Sequence, residues 1–422
     1  MKPSISFSLL LIITLFFSTI SLKAQYLWNS DSAFKAGAAN SGRIWGYAFG
    51  DYYVKGHSDS LGRGGSNQYS GANFPKNKSA FQFRRIYLGY DYNISSKFSA
   101  ELLLASEDNS NPAASTAATP NTANDALEDN KLTFYIKLAN IRWKNIWKGT
   151  DLVVGQVSTP AFPLLSERIW AYRSIERTIS DIRRTPSYDM GATLQGKFDA
   201  KGNYGYNVMV GNGTSAKPEG DLFKWFYGDV WAMFFDKKLV VDLYADYERL
   251  NWQAYNPSST TPGAWHHSRQ MLKGYIAYNT PGLTIGAEGF LNNLKNDNFA
   301  TKIAGGIDTL SVQAKGISFY VHGDIIKTKL RFFARYDIYN PDNKIDNNTY
   351  SKYVGNTANY NDPTTKEQFI TGGLDFTPVK NVHFMPNIWY NNYKSQLANP
   401  VGKLKSDNDL TYRLSFYYVF GK

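Results

Sequence analysis

The segment from 158 to 187 holds the densest chemistry in the chain. It reads STPAFPLLSERIWAYRSIERTISDIRRTPS and sets Arg168, Arg173, Arg177, Arg183 and Arg184 against Glu167, Glu176 and Asp181, with Trp170, Tyr172 and Ile175 between them. A guanidinium keeps its charge, and its planar fork pairs with carboxylate or phosphate oxygens. Five of them against three acids leave a surplus of two positive charges. Folded against a wet wall, such a segment would narrow a passage and draw anions to it. Used locally, the same arginines would pair with the three acids and pin the segment in place. Other chemistry is sparse. The 422 residues include five His and no Cys, which excludes thiol catalysis and cysteine-ligated metals, and no cofactor or metal is expected. His322 shares a strand face with Ser318, but four residues of extended chain separate them by about 13 Å. His383 has no serine marked out for it, and His266 and His267 read as solvated loop residues. Neither G-x-S-x-G nor H-E-x-x-H occurs, and the chain is not expected to be an enzyme.

What could position these arginines is a wall of long strands. Aromatic residues make up 16% of the chain and charged residues only 19%, with a mean hydropathy of −0.40. Low charge with many aromatics suits a barrel that is apolar outside and polar inside. Residues 1–24 read as a secretory signal: Lys2, the apolar run Ile5–Phe17, then Ser-Leu-Lys-Ala before Gln25. That run is too short to span a membrane as a helix. Its removal takes away Lys2 and Lys23, so the net charge falls from +11 to +9. The remainder, 25–422, reads as one barrel domain, and nowhere holds the ~20 consecutive apolar residues of a spanning helix.

Period-two alternation recurs through that domain. Ile86, Leu88, Tyr90 and Tyr92 alternate with Arg85, Tyr87, Gly89 and Asp91; Leu330, Phe332, Ala334 and Tyr336 alternate with Arg331, Phe333, Arg335 and Asp337. One apolar face at period two marks a half-buried strand. Sixteen such segments are expected, at 42–54, 81–92, 97–106, 131–144, 150–157, 188–199, 203–211, 225–235, 239–249, 269–278, 282–293, 312–325, 328–339, 366–376, 381–393 and 407–420. Their connections alternate long and polar with short and turn-like. Short periplasmic turns, long external loops and an even strand count are the pattern of an outer-membrane barrel. The expected fold is therefore all-β: a 16-stranded antiparallel transmembrane β-barrel, with 158–187 as its third external loop.

The polar phase of the strands puts Arg85, Lys137, Arg331, Arg335 and Arg413 on the inner wall, with Asp242, Asp246, Glu248 and Glu288 among the acids opposing them. Tyr90, Tyr92, Trp143, Trp147, Tyr244, Tyr278, Tyr339, Tyr390, Tyr417 and Tyr418 suit interfacial girdles. Tyr87, Tyr320 and Trp389, in phase with the lumen, would stack sugars under an alternative reading. With no basic tract and an export signal, nucleic acid is not an expected partner; outer-membrane lipid, lipopolysaccharide and small solutes are.

The stretch 155–213 carries Gly155-Gln156, Thr159-Pro160, Glu167-Arg168, Arg184-x-x-x-Tyr188-Asp189-x-Gly191 and Tyr206-x-Val208-x-x-x-Asn212-Gly213. With FRRIYLGYDYNISSKFSAEL (83–102) and RFFARYDIYNPDN (331–343), it resembles the phosphate-selective porin O/P family. The resemblance implies a sixteen-stranded, trimeric outer-membrane channel with a preference for phosphate-like anions, although the loop here is rich in arginine where those members use lysine. The expected function is passive diffusion of small hydrophilic solutes, narrowed by loop 158–187. The alternatives are a general or oligosaccharide porin and a non-conducting barrel whose loops 55–80, 107–130 and 340–365 bind partners.

Overall fold

A computed structural model of the chain describes residues 39–63, 69–70, 74–107, 134–183, 186–250, 267–355, 363–398 and 405–421. The segment 1–24 read as a secretory signal, most of loop 107–130, Arg184 and His266 lie outside the described residues. Among the described residues there are seventeen strands: β1 (Ser41–His57), β2 (Ser79–Asn93), β3 (Phe98–Glu107), β4 (Tyr135–Trp147), β5 (Thr150–Ser158), β6 (Tyr188–Lys197), β7 (Tyr204–Gly211), β8 (Trp225–Phe234), β9 (Leu239–Arg249), β10 (Ser268–Asn279), β11 (Leu283–Lys302), β12 (Ile307–Ile326), β13 (Leu330–Asn340), β14 (Tyr350–Gly355), β15 (Thr365–Val379), β16 (Val382–Ser395) and β17 (Ser406–Phe420). Two short helices, α1 (Ser166–Trp170) and α2 (Ile179–Ile182), sit between β5 and β6.

Sixteen of the strands form the wall. Each pairs antiparallel with its neighbour in sequence, β13 passes directly to β15, and β1 closes the ring on β17. Closure leaves no edge in the wall, so every spanning strand is paired on both sides, as a hydrocarbon environment demands. The alternation sorts the side chains. On β9, Val240, Asp242, Tyr244, Asp246 and Glu248 are buried inside, while Leu243 and Tyr247 are exposed outside. On β17, Thr411, Arg413 and Ser415 are buried and Tyr412, Leu414 and Tyr418 are exposed. The exposed set continues around the ring through Leu88, Leu102, Ile141, Val208, Val230, Leu272, Ile285, Phe319, Ile370 and Ile388. A continuous apolar belt on the outside of a closed barrel is a lipid-facing surface.

All sixteen segments expected from period two are wall strands. The interior of one expected long loop, 294–311, is not a loop. There β11 and β12 continue as a hairpin to a four-residue turn at 303–306, and β14 adds a third strand along Asn298–Lys302. Twenty residues per strand reach about 65 Å, well past a ~30 Å hydrocarbon core. In this extension Asp297, Asn298, Phe299 and Ala300 are buried one after another, while Thr309 and Ser311 are exposed, so it lacks the alternation that marks a spanning strand. Three of the expected girdle aromatics also change place: Tyr244 and Tyr339 are buried inside, and Tyr417 points inward against Phe49 and His383. Tyr90, Trp143, Trp147, Tyr278 and Tyr418 are exposed on the outside.

Candidate functional site

The loop between β5 and β6 turns into the barrel. Its base is closed by Thr159, whose hydroxyl donates to Pro186 O at 2.5 Å and whose amide donates to Ser187 O at 3.1 Å. Helix α1 stops at Ala171, which adopts a left-handed backbone (φ 60°), and Thr178 caps α2 by accepting from the Asp181 amide. The apolar residues explain the inward course. Phe162 and Ile179 pack with Val157, Met209, Trp225, Phe290 and Tyr339. Leu165, Ile169, Trp170, Tyr172 and Ile175 pack with Trp231, Met233, Tyr275, Tyr320, Phe333 and Met385. Each such side chain gains roughly 1.5–3 kcal/mol by leaving water, an amount that a loop extended outward would forfeit.

Side chains of the wall then grip the loop by its main chain. Arg84 donates to Ser174 O and to Ile175 O (3.2 Å), and Arg413 also reaches Ile175 O at 3.2 Å. Arg335 donates to Arg177 O, Lys273 to Ala161 O, and His322 Nε2 to Ile169 O at 3.0 Å. Glu288 accepts from the Ser180 hydroxyl and amide at 2.6 and 3.2 Å. Arg84 and Arg413 share the fully buried Asp51, at 2.8 and 3.2 Å, which also accepts from Tyr69 and Ser415. Arg413 lies 3.7 Å over the Trp389 ring.

Arg84 is the residue that the alternation alone misses. Phe49 pairs with Arg85 and Gly50 with Phe83, so β2 carries one extra residue at a bulge. Both Arg84 and Arg85 consequently point inward and are buried, as a bulge allows. Of the five inner-wall cations expected, Arg85, Lys137, Arg335 and Arg413 are buried inside. Arg85 and Lys137 converge on Glu107. Arg331 is the least buried, pairs with Asp324 at 3.1 Å, and meets the loop only through His322.

The described loop arginines are committed to acids or to backbone. Arg173 bridges Glu167 and Asp181, the latter at 2.8 Å. Arg177 lies 3.6 Å from Glu176 and 3.7 Å from Asp181. Arg183 pairs with Glu367 of β15 at 2.6 Å and stacks 3.8 Å over Tyr339. Arg168 donates to Pro163 O at 3.1 Å. Burial pushes the Asp181 carboxyl up, but Arg173 and Arg177 outweigh it and hold it below its usual value of 3.8. A depressed carboxylate stabilises the fold above its free pKa and loses that contribution as pH falls through the lower, folded value. Single-channel conductance should therefore stay constant from neutral pH down to about 4 and become unsteady only below it, as the loop loosens. A transition near pH 6 would show that Asp181 does not control it.

Charge is divided across the lumen. Where β2, β4 and β17 face the loop, Arg84 and Arg413 pair with Asp51, and Arg85 and Lys137 with Glu107. On the opposite arc, β6, β8, β9 and β11 present Asp189, Asp229, Asp242, Asp246, Glu248 and Glu288, answered among the described residues by Lys273 (3.3 Å from Asp242) and Arg269 (3.3 Å from Glu248). Asp189, Asp229 and Asp246 are held instead by neutral donors: Tyr227 at 2.9 Å, Asn207 at 2.7 Å and Tyr244 at 2.6 Å.

The aromatics proposed as sugar platforms are not free. Trp389 is fully buried beneath Arg413 and Tyr69, Tyr320 is bonded to Tyr275 at 2.7 Å and packed on Trp170, and Tyr87 is bonded to Glu107 at 2.5 Å. His267 is not solvated either: it is buried and paired with Asp297 at 2.8 Å. His383 is held by Asp375 at 2.8 Å.

No family model and no curated protein matches the sequence. Solved structures match the fold. The outer membrane channel DcaP of Acinetobacter baumannii aligns with a TM-score of 0.58 at 12% identity, over 92% of this chain and 99% of its own. OmpF of Salmonella typhi gives 0.54 at 10%, over 90% and 98%. An anion-selective porin from Comamonas acidovorans gives 0.52 at 11%, over 90% and 100%. The chain thus shares the closed sixteen-stranded architecture of these outer-membrane proteins, and its apolar belt is a lipid-facing surface.

Proposed function

We propose that the protein is a passive diffusion channel for small hydrophilic solutes, narrowed by the loop between β5 and β6. The observation that carries this reading is the division of charge around that loop, with guanidinium and ammonium groups on one arc and carboxylates on the other. Preorganised opposite charges in a narrow wet passage orient and select solutes without a binding step. No chemical transformation is part of the proposal.

A preference for phosphate-like anions belongs to the proposal as well, carried by Arg84, Arg85, Lys137 and Arg413. These four cations share two carboxylates, Asp51 and Glu107, whereas Arg173, Arg177 and Arg183 share four, Glu167, Glu176, Asp181 and Glu367, and support it less. The motif that resembles the phosphate-selective porin O/P family has architectural duties in this chain. Thr159 closes the loop base, and Asp189 accepts from the Gly213 and Ser215 amides to fix the next external turn. A trimer follows from the same resemblance. The second reading, a general porin with little ion preference, is favoured by the six carboxylates on the opposite arc.

Reversal potential in a KCl gradient distinguishes the two. Under the first reading the current reverses on the anion side, added phosphate reduces it, and Arg85→Gln with Lys137→Gln moves the reversal toward cations. Asp229→Asn with Asp246→Asn moves it the opposite way. High salt should shrink both shifts. Reversal near zero, with no effect of phosphate, leaves the general porin.

A further inference from the structure

The lipid-facing wall has a hollow in it. Gly228 on β8 pairs with Ala245 on β9, and Gly274 on β10 pairs with Gly289 on β11. All four lie on the outward phase of their strands. A Cβ added at Gly228, Gly274 or Gly289 would meet nothing closer than 3.7, 3.9 and 3.7 Å. By contrast, a Cβ at inward-facing Gly286 or Gly316 would strike the Tyr320 or Phe290 ring at 2.3 and 2.2 Å. No neighbour within the chain therefore requires the outward glycines to be small. What they leave is a groove of about 860 Å³, walled by Val230, Leu243, Leu272, Leu291 and Ile317. A second groove, of about 840 Å³, includes Ala287 and Val321 on the neighbouring, more periplasmic part of the wall.

The external end of the groove is basic. Lys315, which lines it, pairs across the strands with Leu291. Lys295 lies further out, paired across with Ser268. Both lysines are exposed, and among the described residues neither has a carboxylate within ion-pair distance. The buried cations Lys55, Lys137, Lys273 and Arg413 each have one. Along β12, the outward face from Lys315 to Val321 covers about 20 Å, more than half of a ~30 Å hydrocarbon core. The groove itself takes Lys315–Ile317 of that face and the second groove Phe319–Val321, so the two in succession, with lysines at the aqueous end, match a chain with an anionic head.

We propose that this groove seats an acyl chain of a phosphate-bearing lipid of the outer leaflet, with its phosphate at Lys315 and Lys295. Juxtamembrane lysines attract such headgroups. Filling the hollow with protein side chains would displace the acyl chain without touching the lumen.

Native mass spectrometry of the purified full-length protein, titrated in detergent with monophosphoryl lipid A or phosphatidylcholine, tests this. The expected result is preferential retention of the phosphorylated lipid. Lys295→Gln with Lys315→Gln should weaken it by about tenfold or more, and Gly274→Leu with Gly289→Leu should weaken it at least as much, with single-channel conductance unchanged. If the Leu variant does not close into a heat-modifiable barrel, Gly274→Ala with Gly289→Ala makes the same test with a smaller plug. Equal retention of phosphatidylcholine overturns the proposal, as does a filled groove that still holds the lipid. So does a Leu variant that changes oligomeric state and leaves lipid retention intact, since the groove would then be a contact between copies of the chain.

Discussion

Asp51→Asn should lower the stability of the barrel by about 3–5 kcal/mol, the scale of a buried ion pair that loses one partner. It should also move the reversal potential toward anions. Both effects have one origin. The Asp51 carboxylate is fully buried and is the shared acid of Arg84 and Arg413. An amide of the same shape leaves two guanidinium groups facing each other and adds one positive charge to the lumen. Urea unfolding of the folded barrel reads the first effect, and a KCl gradient reads the second. Adding Arg413→Leu to Asp51→Asn removes one of the two cations and should restore part of the stability, so the coupling appears as a non-additive cycle. Wild-type stability in Asp51→Asn would mean that the two arginines do not depend on this carboxylate.

The second large effect concerns the loop alone. Trp170 is 1% exposed, donates from Nε1 to Glu176 O at 2.8 Å, packs 5.0 Å from the Tyr320 ring and lies beneath Arg335 at 5.4 Å. Truncating it to Ala removes a contact worth about 3–5 kcal/mol. That loss falls on the docking of the loop, because the wall strands remain paired around the whole ring. Conductance should rise and become noisy in Trp170→Ala, while the urea midpoint of the barrel changes little. A steady wild-type current in a correctly folded Trp170→Ala channel would show that the loop does not set the width of the passage.

The strands could be read from the sequence because lipid imposes a simple rule on them: apolar outward, polar inward, at period two. The rule fails where its cause is missing. Beyond the membrane, Leu294–Lys302 and Ile307–Ser311 continue as strand, with Asp297, Asn298, Phe299 and Ala300 buried in a row instead of in alternation, and no period-two face marks them. It also fails where the count slips. The bulge at Phe49 and Gly50 turns Arg84 inward beside Arg85, and only the partner strand's register reveals it. The site was half readable. The loop's inward course follows from Trp170, Tyr172 and Ile175, whose apolar surface has nowhere else to go. The partners that neutralise its arginines do not follow, since Glu367 lies 184 residues beyond Arg183. Glu107, which gathers Arg85 and Lys137, stands at the end of its strand, where sequence assigns the start of a loop.

The grip on the loop has an evolutionary consequence. Arg84, Arg413, Arg335, Lys273 and His322 bind carbonyl oxygens of Ser174, Ile175, Arg177, Ala161 and Ile169. A carbonyl is present whatever side chain its residue carries. Mutation can therefore re-letter the exposed positions of the loop, and with them the charge a solute meets, without loosening its anchorage. The wall donors have no such freedom, because each is tied to a particular oxygen. Descendants of this chain are free to diverge in what they admit while the frame that holds the loop stays fixed.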